Sequence, residues 1–276
     1  MPYKEFSNLE YVITTDELKK RVNETVIIDV RPAEEYAAGH IEGTTHFDLY
    51  GISVNDTAPE PLEAFLSMFH HQFEFRGVTN KTPVVIYDQE TGERAARGVW
   101  LLAVLNHPNV KLLDGGVQAW IDAGNALTTV TAPPTRTSYS SDRNLNLLAT
   151  RFDVHKAIED ENAVVIDVRR DTEYFGTEKR ARRVGTIPGS IHIPWRDHLD
   201  ESGAFRPAEE IRTLYASKGI TPDKTIIAFC QGGYRSANTF LALKSLGYPN
   251  VKNYMGSWGE WGNRDDSVID LPPADS

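Results

Sequence analysis

Ala163-Val164-Val165-Ile166-Asp167-Val168-Arg169 reads as a buried β-strand that ends abruptly in charge. Thr25-Val26-Ile27-Ile28-Asp29-Val30-Arg31 carries nearly the same pattern earlier in the chain. The agreement extends outward from these two runs. Tyr36 answers Tyr174, His40-Ile41-Glu42-Gly43 answers Thr186-Ile187-Pro188-Gly189, and His46 answers His192. Further on, Pro83-Val84-Val85-Ile86-Tyr87-Asp88-Gln89 matches Thr225-Ile226-Ile227-Ala228-Phe229-Cys230-Gln231. His107-Pro108-Asn109-Val110-Lys111 matches Tyr248-Pro249-Asn250-Val251-Lys252, and Trp120 falls on Trp261. A period of roughly 140 residues is too long for a solenoid turn and indicates a duplicated domain.

Each copy alternates short β-branched runs with helical patterns such as Ala95–Leu105, which predicts an α/β fold with a mainly parallel sheet flanked by helices. An opening helix is expected near Thr14–Val22, capped by Thr or Asp. The expected division is a first domain over 1–128, a linker over 129–144 and a second domain over 145–276. The polar, proline-bearing run Thr128–Ser138 leads into and through the linker, suited to wrap from one half to the other.

Of 276 residues, 40% are apolar and 25% charged, as in a water-soluble globular protein, and no apolar run reaches the length of a membrane span. The start, Met1-Pro2-Tyr3-Lys4-Glu5-Phe6, lacks the basic-then-apolar pattern of a signal peptide. A single cysteine rules out an internal disulfide, CxxC redox chemistry and cysteine-rich zinc sites, and fits a reducing, cytoplasmic setting. The net charge of −10 argues against nucleic acid as a partner. An anionic substrate must therefore be drawn in by a local cluster. No metal or cofactor is expected, and a monomer is, because two domains already bury a large mutual surface.

That cysteine, Cys230, sits where the strand run Thr225–Phe229 meets the turn Gln231-Gly232-Gly233-Tyr234-Arg235, and a helix-like segment follows from Ser236. Amides of a Gly-rich turn leading into a helix point inward at the positive end of the helix dipole. Such a field favours thiolate over thiol, so Cys230 is read as a nucleophile rather than an inert core residue. Arg235 adds a fixed charge at the far end of the loop. In the first half the same position holds Asp88, in the acidic run Asp88-Gln89-Glu90-Thr91-Gly92-Glu93-Arg94, so that half is expected to be catalytically silent.

At this point the chain closely resembles the tandem-domain rhodanese family, in the form with an inactive first half and an active second half. The resemblance rests on Asp-x-Arg in each half (Asp29/Arg31 and Asp167/Arg169), on the two glycine-ended motifs, on the cysteine loop and on the closing Tyr254–Trp261. It implies five-stranded parallel sheets and a ping-pong reaction. The Cys230 thiolate takes the outer sulfur of a small-molecule donor such as thiosulfate, leaving sulfite and a Cys230 persulfide, and a thiophilic acceptor, cyanide or a thiol, removes it. Amides from Gln231 through Gly232, Gly233 and Tyr234 to Arg235 would ring the persulfide. Related phosphatases place five residues between cysteine and arginine; here only four intervene, a cradle sized for one sulfur.

The loop departs from both the thiosulfate-preferring animal pattern and the mercaptopyruvate pattern, leaving Arg235 to supply the donor's counter-charge. Glu173 stands where some members carry a binding arginine, and Thr186 where the usual motif has histidine. Lys179, Arg180, Arg182 and Arg183 lie in an expansion that the first half lacks. They are either a solvated basic loop or a clamp over the cysteine, with Arg183 and Arg182 preferred by nearness to Ile187-Pro188-Gly189. Arg31 and Arg169 read as structural ion pairs, and His40, His46 and His192 as hydrogen-bonded structural residues. Trp258 and Trp261 read as packing, and Tyr234 as a contact for the acceptor or a wall of the entrance. Thiosulfate sulfurtransferase is the leading reading. A 3-mercaptopyruvate sulfurtransferase, a persulfide carrier serving a protein sulfur acceptor, and a phosphatase or arsenate-type reductase are the alternatives.

Overall fold

A computed structural model describes residues 3–133, 135–140 and 142–273; Pro134 and Ser141 of the expected linker, and the extreme ends of both expected domains, lie outside them. The first half contributes strands β1 (Val12–Ile13), β2 (Val26–Asp29), β3 (Thr45–His46), β4 (Val84–Tyr87) and β5 (Val110–Leu113). The second contributes β6 (Leu148–Ala149), β7 (Ala163–Asp167), β8 (Ile191–His192), β9 (Thr225–Phe229) and β10 (Val251–Tyr254). They form two five-stranded sheets, ordered β1-β5-β4-β2-β3 and β6-β10-β9-β7-β8, and every pairing is parallel. The central strands are continuous apolar runs rather than alternating ones because helices cover both faces. All four residues of β4 are buried, as are the last four of β9.

The duplication extends to atoms. In the first half Arg31 donates to Asp29 and to the Gly39 carbonyl; in the second, Arg169 donates to Asp167 and to the Gly185 carbonyl. His46 and His192 each bond the carbonyl of that arginine through Nε2. Tyr36 stacks on His46 and Tyr174 on His192. Thr186, standing where His40 stands in the first half, donates instead to Asp167 Oδ2 at 2.7 Å. Both halves open with a capped helix, Thr15–Lys19 behind Thr14 and Arg151–Ile158 behind Thr150, each with a reciprocal capping box.

The halves are not beads on a string. Helix Glu93–Val104 follows β4, helix Arg235–Ser245 follows β9, and the two pack against each other. That pairing explains why both are buried nearly all round instead of along one stripe. One contiguous apolar core runs through both halves, from Phe6 to Met255, and Cys230 belongs to it.

Polar clamps sit at the rims of this core. Asp114, at the end of β5, accepts from Tyr3, Lys4 and Thr91 of its own half and from the Phe205 amide of the other. Buried Glu260 accepts from the amide and hydroxyl of Thr57 across the interface, and from Arg151 and Tyr254 on its own side. No helix among the described residues is long and apolar enough to cross a membrane.

Removing the Asp114 carboxylate strands several buried donors at once. Asp114→Ala is expected to cost about 3 kcal/mol of unfolding free energy, read as a lower urea midpoint.

Candidate active site

Strand β9 delivers Cys230 to the carboxyl edge of the second sheet, and the chain must turn there to start helix Arg235–Ser245. Gly233 makes the turn at φ +81°, with the Met255 carbonyl close enough to crowd any side chain. Gly232 is set by a different constraint. A Cβ there would come within 2.9 Å of Ser53 Oγ, because the first half's segment around Tyr50–Asn55 roofs the loop.

The loop is gripped from below by the segment after β10. Ser257 Oγ accepts from the amides of Cys230 and Gly233, both at 3.1 Å, and donates to the Tyr254 carbonyl. Ser257 holds a left-handed φ of +51°, a cost of about 1 kcal/mol for a non-glycine residue, and those three bonds fix it there. Trp258 and Gly259 donate their amides to the carbonyls of Cys230 and Gln231, and Asn253 bonds the Gly233 carbonyl. Trp258 and Trp261 pack beneath the site, both fully buried.

Cys230 is 1% exposed. Burial by itself pushes its thiol up; Arg235, the Ser236 hydroxyl at 3.4 Å and the amides of Ser236 and Gly232 outweigh that, so its pKa falls below the ordinary value. The expected ring of amides from Gln231 to Arg235 is therefore corrected in part. The Gly233 amide is turned away to Ser257, and the Ser236 amide, one residue beyond the loop, takes part instead.

The sulfur faces a cavity of about 210 Å³ between the two halves. The second half lines it with Cys230, Gln231, Gly232, Tyr234, Arg235 and Arg180, and the first half closes it with Tyr50–Asn55 and Glu93. Arg235 is held in two-pronged fashion by buried Glu173, at 2.5 and 3.0 Å, with Glu93 at 3.9 Å from its Nε. Burial alone would raise the Glu173 carboxyl, but Arg235 and Arg169 hold it down at about 2. Glu173 thus occupies its position as the partner of Arg235. Burial pushes the Glu93 carboxyl up against the pull of Arg235, Arg94, Arg196 and Arg180.

Of the basic expansion, only Arg180 reaches the cavity: it lies 3.7 Å from Glu173, and its carbonyl accepts from the Gln231 side chain. The preference for Arg182 and Arg183 is overturned. Arg182 pairs with Asp265 on the surface, while Arg183 donates to the carbonyls of Trp261, Arg264 and Ser267 and ties the C-terminal segment down. Nearness in sequence misled because the expansion folds toward the C-terminal segment. Tyr234 walls the cavity but is not free to follow a substrate, since its hydroxyl donates to the carbonyls of Leu49 and Ile52 across the interface.

At the equivalent place in the first half, Asp88 lies after β4 with its carboxyl raised to about 6 by burial and its Oδ1 accepting from the Gln89 amide. The side chain folds into its own turn, so close that a Cβ on Gly92 would meet Oδ2 at 2.3 Å. Sequence reasoning missed Ser257, Glu93 and the Tyr50–Asn55 roof as site components, and ranked Arg180 behind Arg182 and Arg183 within the basic expansion. The Gly256-Ser257-Trp258-Gly259 run carried a signal for the first; the others meet Cys230 only in space.

The family model of the rhodanese-like domain matches residues 14–123 and again residues 150–264. The chain is 34% identical over 268 residues to a thiosulfate sulfurtransferase of Pseudomonas aeruginosa, covering 96% of this chain and 99% of that one. It is 32% identical over 269 residues to a thiosulfate sulfurtransferase of Azotobacter vinelandii, covering 97% and 99%. It is 34% identical over 277 residues to the sulfur carrier protein TtuD of Thermus thermophilus, covering 94% and 95%. In fold it is similar to an anaerobic ergothioneine biosynthesis enzyme from Chlorobium limicola (TM-score 0.85, 21% identity, 98% of this chain and 72% of that one) and to EanB (0.84, 22%, 96% and 70%).

Alkylation by iodoacetamide is expected to follow a thiolate titration with a midpoint below the free-cysteine value of about 8.5. Ser236→Ala removes a donor to the charged form, so that midpoint should move up by about half a pH unit.

Proposed function

The chain belongs to the rhodanese family, as two rhodanese-like domains in tandem, and is a sulfurtransferase; from that premise we propose that it transfers the outer sulfur of thiosulfate to a thiophilic acceptor through a persulfide on Cys230. The observation that carries this reading is a thiol of lowered pKa facing a small cavity, with only four residues between it and Arg235 in a tight loop.

The Cys230 thiolate attacks the outer sulfur of thiosulfate. A Cys–S–S bond forms, the bond to the sulfonyl group breaks, and its electron pair departs with sulfite. The negative charge then rests on the terminal sulfur of the persulfide, in the field of Arg235 and beside the Ser236 hydroxyl. Cyanide or a thiolate attacks that terminal sulfur, the S–S pair returns to Cys230, and the thiolate is restored. A lowered thiol pKa reduces the need for a general base, and a preformed thiolate needs none.

Arg180, Arg235 and Glu93 line the cavity and buried Glu173 backs Arg235, so the charges of these side chains nearly cancel. A dianionic donor is therefore held by aimed donors rather than by a bulk positive field, which also leaves room for thiol acceptors of little charge. The short loop disfavours a tetrahedral phosphate, and with it the phosphatase or reductase reading. The first half, with Asp88 in place of the sulfur, takes no covalent part and serves as roof and support.

The relative named as a sulfur carrier favours one further reading, in which the persulfide is handed to a protein acceptor. Purified protein incubated with thiosulfate is expected to gain about 32 Da, one sulfur, on Cys230 and to form thiocyanate with cyanide, and Cys230→Ser should lose both. Absence of adduct and thiocyanate would sink the proposal. A higher kcat/KM for 3-mercaptopyruvate would replace the donor, and transfer to a protein much faster than to any small thiol would favour the carrier.

A further inference from the structure

The half without a thiol holds a buried charge with no carboxylate beside it among the described residues. Arg97, on helix Glu93–Val104, is completely buried, and none of its three guanidinium nitrogens has a hydrogen-bond partner among the described residues. Buried arginines are ordinarily paired. The other buried arginines among the described residues are: Arg31 with Asp29, Arg169 with Asp167 and Arg235 with Glu173. Burial draws the Arg97 pKa down to about 10, with Tyr234 and Cys230 opposing the fall, so the group stays cationic at neutral pH.

Its surroundings give that charge a direction. The guanidinium carbon lies 3.8 Å over the ring of Tyr234, the residue between Gly233 and Arg235 in the nucleophile loop, and 5.7 Å from the ring of Phe65. The Tyr234 hydroxyl is pinned to Leu49 and Ile52, so the ring cannot leave Arg97 without opening the roof. Glu93 is one helical turn before Arg97, a spacing at which glutamate and arginine commonly pair. Here Glu93 faces the cavity and Arg235 instead. The partner that would have cancelled the charge has been drawn off to the other arginine.

We propose that Arg97 is a positioning residue for sulfur transfer: a cation supplied by the thiol-less half, stacked on Tyr234 and left without a carboxylate, that holds the nucleophile loop in place and favours an anionic sulfur at Cys230. Attraction between two charges is reciprocal, so whatever the thiolate does for Arg97, Arg97 does for the thiolate. Arg235 remains the larger influence on the sulfur. The charged and titratable groups that bear on Cys230 are then Arg235 and Tyr234 from its own loop, Glu173 and Arg180 from the segment after β7, and Tyr50, Glu93 and Arg97 from the first half. Neither a larger core nor a tighter interface needs an arginine at this point. A methionine would fill the space without burying charge.

The inference rests on Cys230 being the nucleophile of the proposed reaction, and its test needs no sulfur donor. The pH dependence of iodoacetamide alkylation at Cys230 and the urea midpoint are measured for Arg97→Met and Arg97→Gln beside the unsubstituted protein. Loss of the cation is expected to raise the alkylation midpoint by about 0.5–1 pH unit and to slow alkylation at pH 6 roughly three- to tenfold. The urea midpoint of Arg97→Met should meanwhile hold or rise, since an unpaired buried charge has been removed. An unmoved alkylation midpoint in a folded neutral variant, or failure of both variants to fold, assigns Arg97 to packing alone and overturns the proposal. Failure of the thiosulfate assay, by contrast, would strike the donor and leave this result legible.

Discussion

A buried thiolate is an ion in a place that resists ions, and the arrangement around Cys230 is organised to offset that resistance. Burial is the largest single influence on this thiol and acts against ionisation; Arg235, the Ser236 hydroxyl and two backbone amides together reverse it. None of these can act without a rigid loop. That explains why so much of the surrounding structure grips the backbone rather than the sulfur: Ser257 against two amides, Trp258 and Gly259 against two carbonyls, and Asn253 against a third. Preorganised dipoles stabilise a localised charge because they need not reorient when it appears.

The two halves divide this labour unequally. The second supplies the sulfur and its immediate donors; the first supplies the roof, the Glu93 carboxylate and the buried Arg97. In the first loop Asp88 stands where the second has its thiol, and the helix behind it lends Glu93 and Arg97 to the neighbouring half. The packed pair of helices, Glu93–Val104 against Arg235–Ser245, is the route by which it does so.

Much of this was legible in the sequence, for identifiable reasons. Strand runs ending in Asp-x-Arg, repeated once, reported the duplication and the parallel sheets, because strands buried on both faces must read as unbroken apolar stretches. The cysteine, the double glycine and the following helix reported a thiol held in a strand-to-helix turn, since each is local in the chain. What was not legible lies across the interface or across the sheet edge. Nothing in Lys179–Arg183 says that Arg180 faces the cavity while Arg182 and Arg183 bind the C-terminal segment; that depends on Asp265 and the carbonyls of Trp261, Arg264 and Ser267. Tyr234 looked available until the carbonyls of Leu49 and Ile52 claimed its hydroxyl. Glu173 read as a departure from pattern, and only the fold reveals the arginine it answers.

The single apolar core running through both halves has a historical consequence. Each copy's helix is buried on nearly every side against the other, so parting the halves would expose both helices to water. Duplication then works as a ratchet. The copy without the thiol is free to change its chemistry residue by residue, yet selection cannot discard it, because the interior it shares with the other copy would be laid open to water.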